Sequence, residues 1–127
     1  MLKLNNPGNI RVSAETFRGE VRPSAHPSFK QFKTMAWGYR ALFVVLRTYI
    51  RQHHLQTIES IISRWAPPSE NDTEAYVRQV ARLTGFDRQR SLTFCYNDML
   101  PLASAISRVE NGTPANPADL EEGWSLL

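Results

Sequence analysis

The sequence predicts an α+β fold, mostly α-helical, with short N-terminal β segments followed by about five helices around a central one. Three observations carry this. Turn residues crowd the first third, as in Asn6-Pro7-Gly8-Asn9, where Pro fixes φ and Gly and Asn tolerate positive φ. From Thr34 onward the apolar residues recur at spacings of three and four, the period of a helix. The chain of 127 residues, 42% hydrophobic and 21% charged, is long enough for one core and too short for two. A single domain over residues 1–127 is therefore expected.

The elements follow in order. Short strands are expected at Asn9 to Val12, Thr16 to Val21 and Phe29 to Phe32, with Gly19 marking a bulge or a close backbone approach. Thr34 can cap a helix reaching about Gln52, whose stripe Met35, Tyr39, Leu42, Leu46 and Tyr49 is widened by Phe43, Val45 and Ile50. That breadth makes it the central helix. Thr57 and Ser60 open a second helix, with Ile58, Ile61, Ile62 and Trp65, which Pro67-Pro68 stops. Asp72 or Asn71 caps a third, with Tyr76, Val77, Val80 and Leu83 on one face and Gly85 at its end. A fourth is expected from about Asp98 to Glu110, with Pro101 in its first turn, and a fifth from Asn116-Pro117 to Trp124.

Several function classes drop out. The lone Cys95 allows no intramolecular disulfide and no cysteine metal cage, and reads as a small buried apolar residue. His53 and His54 diverge as neighbours and read as a polar helix end, so no metal and no cofactor are expected. The apolar runs are far shorter than the ~20 residues that span a bilayer, so no membrane partner is expected. The first residues lack the apolar stretch of a secretory signal. Synthesis in the cytoplasm without a Sec signal is expected, with action in the periplasm, at the cell wall or in a virion after delivery by another apparatus.

The net charge of +3 is divided as +7 over residues 1–64 and −4 over residues 65–127. The first half is either a plain solvated polar surface or the seat of an anionic partner, for which nucleic acid, anionic lipid and a carboxylate-bearing glycopeptide qualify. Twelve of the fifteen basic residues are Arg, which favours planar, bidentate contacts. Nucleic-acid binding is the least expected of the functions considered, because no recognition-helix signature occurs and the later helices carry acids.

Among the acids, Glu20 stands in Phe17-Arg18-Gly19-Glu20-Val21, between apolar residues that could desolvate its carboxyl and suit it to donate a proton to a glycosidic oxygen. An exposed glutamate paired with Arg18 or Arg22 is the plainer alternative. The second constellation runs from Arg64 and Trp65 through Pro67-Pro68-Ser69-Glu70-Asn71 to Tyr76, an aromatic platform with hydrogen-bonding groups of the kind that hold sugar rings, or, compatibly, an elaborate helix connection with Trp65 in the core and Asp72 as a cap. Glu70 is the competitor to Glu20 for the acid.

Asn5-Asn6-Pro7-Gly8-Asn9-Ile10-Arg11, Phe29 and Phe32, Gly38-Tyr39-Arg40-Ala41, Thr57-Ile58 and Arg64-Trp65-Ala66-Pro67 through Tyr76-Val77 together resemble a phage and prophage family of virion structural or lysozyme-like lysin proteins. More distantly, Glu74-Ala75-Tyr76-Val77 and Gly38-Tyr39-Arg40-Ala41-Leu42 are similar to segments of soluble lytic transglycosylases. The resemblance implies a lysozyme-like fold and cleavage of peptidoglycan glycan strands by a single glutamate, acid first and base second, with the substrate's N-acetyl group assisting. Transglycosylases carry that Glu in a Glu-Ser motif ending an N-terminal helix, which this sequence lacks. Glu20 is therefore assigned by position, with Glu70 as the alternative. Arg64, Trp65, Tyr39, Asn71 and Tyr76 are the expected substrate-binding residues. The other class of function expected is a non-catalytic virion structural or glycan-binding protein of the same fold.

Overall fold

The switch from turns to helical period at Thr34 divides the molecule into an irregular N-terminal third and five helices. The computed structural model describes residues 1–127. After a short 3-10 turn at Leu2–Leu4 come β1 (Glu20–Val21), β2 (Gln31–Phe32), α1 (Met35–Arg51), α2 (Ile58–Trp65), α3 (Thr73–Thr84), α4 (Tyr96–Asn111) and α5 (Pro117–Ser125). β1 and β2 pair antiparallel, Glu20 opposite Phe32 and Val21 opposite Gln31. A single antiparallel bridge joins Arg11 to Phe29.

The strands are much shorter than expected. Gly19 has φ +77, a left-handed turn that breaks the segment Thr16 to Val21 before it can extend. The ring of Trp37 packs so closely that a Cβ on Gly19 would lie 2.3 Å from it. Pro23 and Pro27 then keep the chain from prolonging the ladder beyond β1 and β2.

Helix α1 follows its capping and periodicity. Thr34 accepts a bond from the Trp37 amide, and Tyr39, Leu42, Phe43 and Leu46 are fully buried. They centre a core of 19 buried residues that draws on every helix, while Phe17, Phe32 and Ala41 form a small second cluster under the hairpin. Thr57 and Ser60 make a reciprocal capping box on α2. Asp72 caps α3 through the Ala75 amide, and Gly85 ends it at φ +74. Asn116 caps α5 through the amides of Ala118 and Asp119.

Four details depart from expectation. Helix α4 begins at Tyr96, so Pro101 is its sixth residue and the Asn97 carbonyl loses its usual donor. Asp98, which looks like a helix start, is instead a nearly buried carboxylate accepting from the Thr93 amide at 2.9 Å and from Arg90 at 2.9 Å. Leu83, expected on the core face of α3, is 44% exposed at the edge of the stripe in the last turn. Cys95 is half-buried rather than buried.

Candidate functional site

The Asn-rich turn near the N-terminus is fastened to three parts of the fold. The fully buried Asn6 donates from Nδ2 to the carbonyls of Ile10 and Lys30, both at 2.9 Å, and accepts from the Ile10 amide at 2.9 Å. Asn5, in the left-handed region at φ 56, donates to the Phe32 carbonyl at 3.1 Å. From α4, Asn111 donates to the Pro7 carbonyl at 2.8 Å. Gly38 of α1 lets this segment lie directly on the helix, since a Cβ there would stand 2.0 Å from the Asn5 carbonyl oxygen. The sequence Gly8-Asn9-Ile10-Arg11 is thereby held as a wall.

Opposite it, Pro67-Pro68 ends α2 and turns the chain through Glu70 and Asn71. Nδ2 of Asn71 donates to the Pro67 carbonyl at 3.3 Å and the Glu70 amide to the same carbonyl at 3.1 Å. Between the two walls lies a cleft of about 370 Å³, lined by Gly8 to Arg11, Phe29, Val45, Tyr49, Trp65, Ala66, Glu70, Asn71 and Glu110. The Trp65 ring rests 3.2 Å from where a Gly8 Cβ would be and meets Tyr49 edge-on, with centroids 6.5 Å apart. Arg64 places its guanidinium 5.5 Å from the Tyr49 ring centroid, and Arg11 lies 5.6 Å from Phe29.

The structure thus brings together Trp65, Glu70 and Asn71 in the cleft, with Arg64 at its edge on Tyr49. Tyr76 lies beneath them, 7% exposed, its hydroxyl donating to Glu110 Oε2 at 2.7 Å. Burial first, then the Glu110 carboxylate, pushes the Tyr76 phenol far up, so it stays a donor. Tyr76 therefore supports the cleft rather than offering a free contact to substrate. Tyr39 does neither: it is fully buried, bonded through its hydroxyl to Ser107 at 2.9 Å, and belongs to the core. Its place in the helical stripe decides this, because the residues at that spacing face the other helices.

Glu20 stands apart from the cleft. Its side chain is 4% exposed and lies beside the wholly buried Lys30, whose ammonium is 3.2 and 3.1 Å from the two carboxylate oxygens. Oε1 also accepts the Phe17 amide at 3.0 Å, and Arg22 approaches Oε2 at 3.9 Å. The same ammonium donates to the Glu15 carbonyl at 2.7 Å. This is a closed ion pair that ties the hairpin together. As the proton donor expected from the sequence, Glu20 has no free oxygen in this arrangement. The Arg22 pairing weighed as the plainer alternative is present but long, and the principal partner is Lys30.

Glu110 was not singled out by sequence. Its Oε1 accepts from Asn9 Nδ2 at 2.8 Å while Oε2 accepts from Tyr76, so it clamps the N-terminal wall to α3. One signal pointed to it: an acid in the last turn of a helix stands against the helix dipole and needs a local reason.

No protein-family model matches the chain. It is 40% identical over 125 residues to Protein P5 of Pseudoalteromonas phage PM2, an alignment covering 95% of this chain and 75% of that protein. With that identity across nearly its whole length, the chain belongs to the family of phage protein P5.

Proposed function

We propose that this protein, as a phage or prophage product with a lysozyme-like fold, binds peptidoglycan glycan strands in the cleft and cleaves them with Glu70 as the acid. The observation that carries the reading is that Glu70 is a cleft carboxyl with no hydrogen-bond or ion-pair partner, beside the Trp65–Tyr49 aromatic wall. Glu110, the other acid of the cleft, has both oxygens engaged. A sugar ring stacked on Trp65 would meet Asn71 as a hydrogen-bonding group and Glu70 as a proton donor. Glu70 then acts as acid on the glycosidic oxygen and afterwards as base, with the substrate's N-acetyl group as internal nucleophile, so one carboxyl suffices. Its place of action is the periplasm, the cell wall or the virion. The test is mass spectrometry of purified peptidoglycan incubated with the protein. Soluble muropeptides absent with Glu70→Gln support the reading, and an undigested sacculus overturns it.

A second reading has its own observation. Glu70 is exposed to water, and an acid catalyst works best where water is excluded. A glycan-binding virion component would need the aromatic wall and no free acid. Sacculus binding without digestion identifies it.

A further inference from the structure

Four of the ten basic residues of the first half, Arg18, Arg40, Arg47 and Arg51, gather on one face away from the cleft. Arg40, Arg47 and Arg51 follow one another by seven and four residues along α1. At about 100° per residue they fall within a roughly 40° arc, while the cleft residues Val45 and Tyr49 lie roughly 140–180° around the helix. Arg18 joins them, its guanidinium 5.5 Å from the Trp37 ring centroid. Arg47 and Arg51 both lie over Phe94, at 5.8 and 5.2 Å. Desolvation first, then the like charges of Arg18 and Arg47, lowers the Arg40 guanidinium from its ordinary value, so these groups feel one another.

None of the four has a carboxylate within 4 Å; the ion pairs of the molecule involve only Arg22, Lys30, Arg78, Arg88 and Arg90. Like charges held together without a counter-charge oppose folding, and a bound polyanion relieves the repulsion. Beside the stripe, Phe94 meets the half-buried Trp124 at 5.3 Å, and Trp124 meets Tyr96, 42% exposed, at 6.1 Å.

We propose that this face binds the phosphodiester backbone of nucleic acid, with the arginines on phosphates and the exposed Tyr96, whose hydroxyl is held by Glu121, available to stack an unpaired base. Such binding uses phosphate contacts and aromatic platforms and requires no recognition helix. Guanidiniums lying over rings keep fixed planes, which suits phosphates at regular spacing along a strand better than the diffuse charge of a fluid headgroup layer. The inference is independent of the glycan reading, since the two surfaces occupy different sides of α1.

The experiment is fluorescence anisotropy of labelled DNA, single strands and duplexes of about 30 nucleotides, titrated with the full chain between ~50 and ~200 mM salt. Four phosphate contacts predict a loss of affinity over that range of roughly 50-fold for single strands and roughly 150-fold for duplexes. Arg47→Gln/Arg51→Gln removes two contacts and reduces the loss to roughly 7-fold and 12-fold. Arg51→Gln alone, at an exposed position, gives an intermediate value and serves if the pair disturbs folding. Arg47→Lys/Arg51→Lys keeps the salt dependence, and Arg82→Gln/Arg108→Gln, elsewhere on the surface, leaves it unchanged. No association at ~50 mM salt overturns the proposal. So does a salt dependence that is the same in wild type and Arg51→Gln, or binding to phosphatidylglycerol vesicles with none to either DNA.

Discussion

Replacing Glu20 by Gln removes the carboxylate that neutralises Lys30, whose side chain is wholly buried. Breaking a buried ion pair from one side typically costs 3–5 kcal/mol, because the remaining charge stays in a poor solvent. Neither partner is exposed enough for water to screen the loss, at 4% and 0% of the side-chain surface. Gln retains one oxygen for the Phe17 amide or the ammonium, and the Glu15 carbonyl still accepts from Lys30, which sets the expected loss at the lower end, about 3 kcal/mol. For a chain of this size that is a drop in melting temperature of about 10 °C. Lys30→Met should cost a similar amount, and the double variant less than the two together, since it leaves no unpaired charge. Circular dichroism melts of the four proteins decide it. A Glu20→Gln variant that melts with the wild type but loses glycan cleavage refutes the structural role assigned here and returns Glu20 to the catalytic one.

Further consequences are open to the same kind of measurement. Gly38→Ala should destabilise the fold by about 1–2 kcal/mol, as overpacking against the Asn5 carbonyl outweighs the gain in helix propensity, and proteolysis should then cut the N-terminal segment first. Trp65→Ala should cost about 2–3 kcal/mol, below the range for a fully buried ring, and abolish sacculus binding; binding that survives a lowered melt makes Trp65 a packing residue only. All four tyrosine phenols are raised in the folded chain: Tyr39, Tyr49 and Tyr76 chiefly by burial, and Tyr96 by its bond to Glu121. A raised folded value gives stability that is present below the unfolded value near 10 and lost as pH rises above it. Ionisation of the buried Tyr76, read as tyrosinate absorbance in the near ultraviolet, should therefore appear together with unfolding rather than before it, whereas the exposed Tyr96 is free to ionise in the folded chain.

The helices were legible because their signals are local. Thr34, Thr57, Asp72 and Asn116 cap where a capping residue precedes an apolar period. Helix α4 was misplaced at its start because Cys95 precedes it without a side-chain capping bond, while Asp98 offers a false cap three residues in. The strands were overextended because the turn at Gly19 is held by Trp37, eighteen positions along, which no window over the strand contains. The same limit governs the site. The two ends of the cleft, Gly8-Asn9 and Trp65 to Asn71, were each visible as unusual local sequence, and only the fold joins them. That Glu20 would find Lys30 depends on a hairpin register, and that Glu110 would reach Asn9 depends on a separation of 101 residues.

The proposed function puts the chemistry in the cleft and not in the hairpin. Initial rates of muropeptide release from purified sacculi by Glu70→Gln and Glu20→Gln, measured side by side at a temperature where both are folded, test it most directly. A loss of about 10²–10⁴-fold is expected for Glu70→Gln, the usual contribution of a general acid, with near wild-type rates for folded Glu20→Gln. The reverse ordering, or full activity in Glu70→Gln, contradicts it.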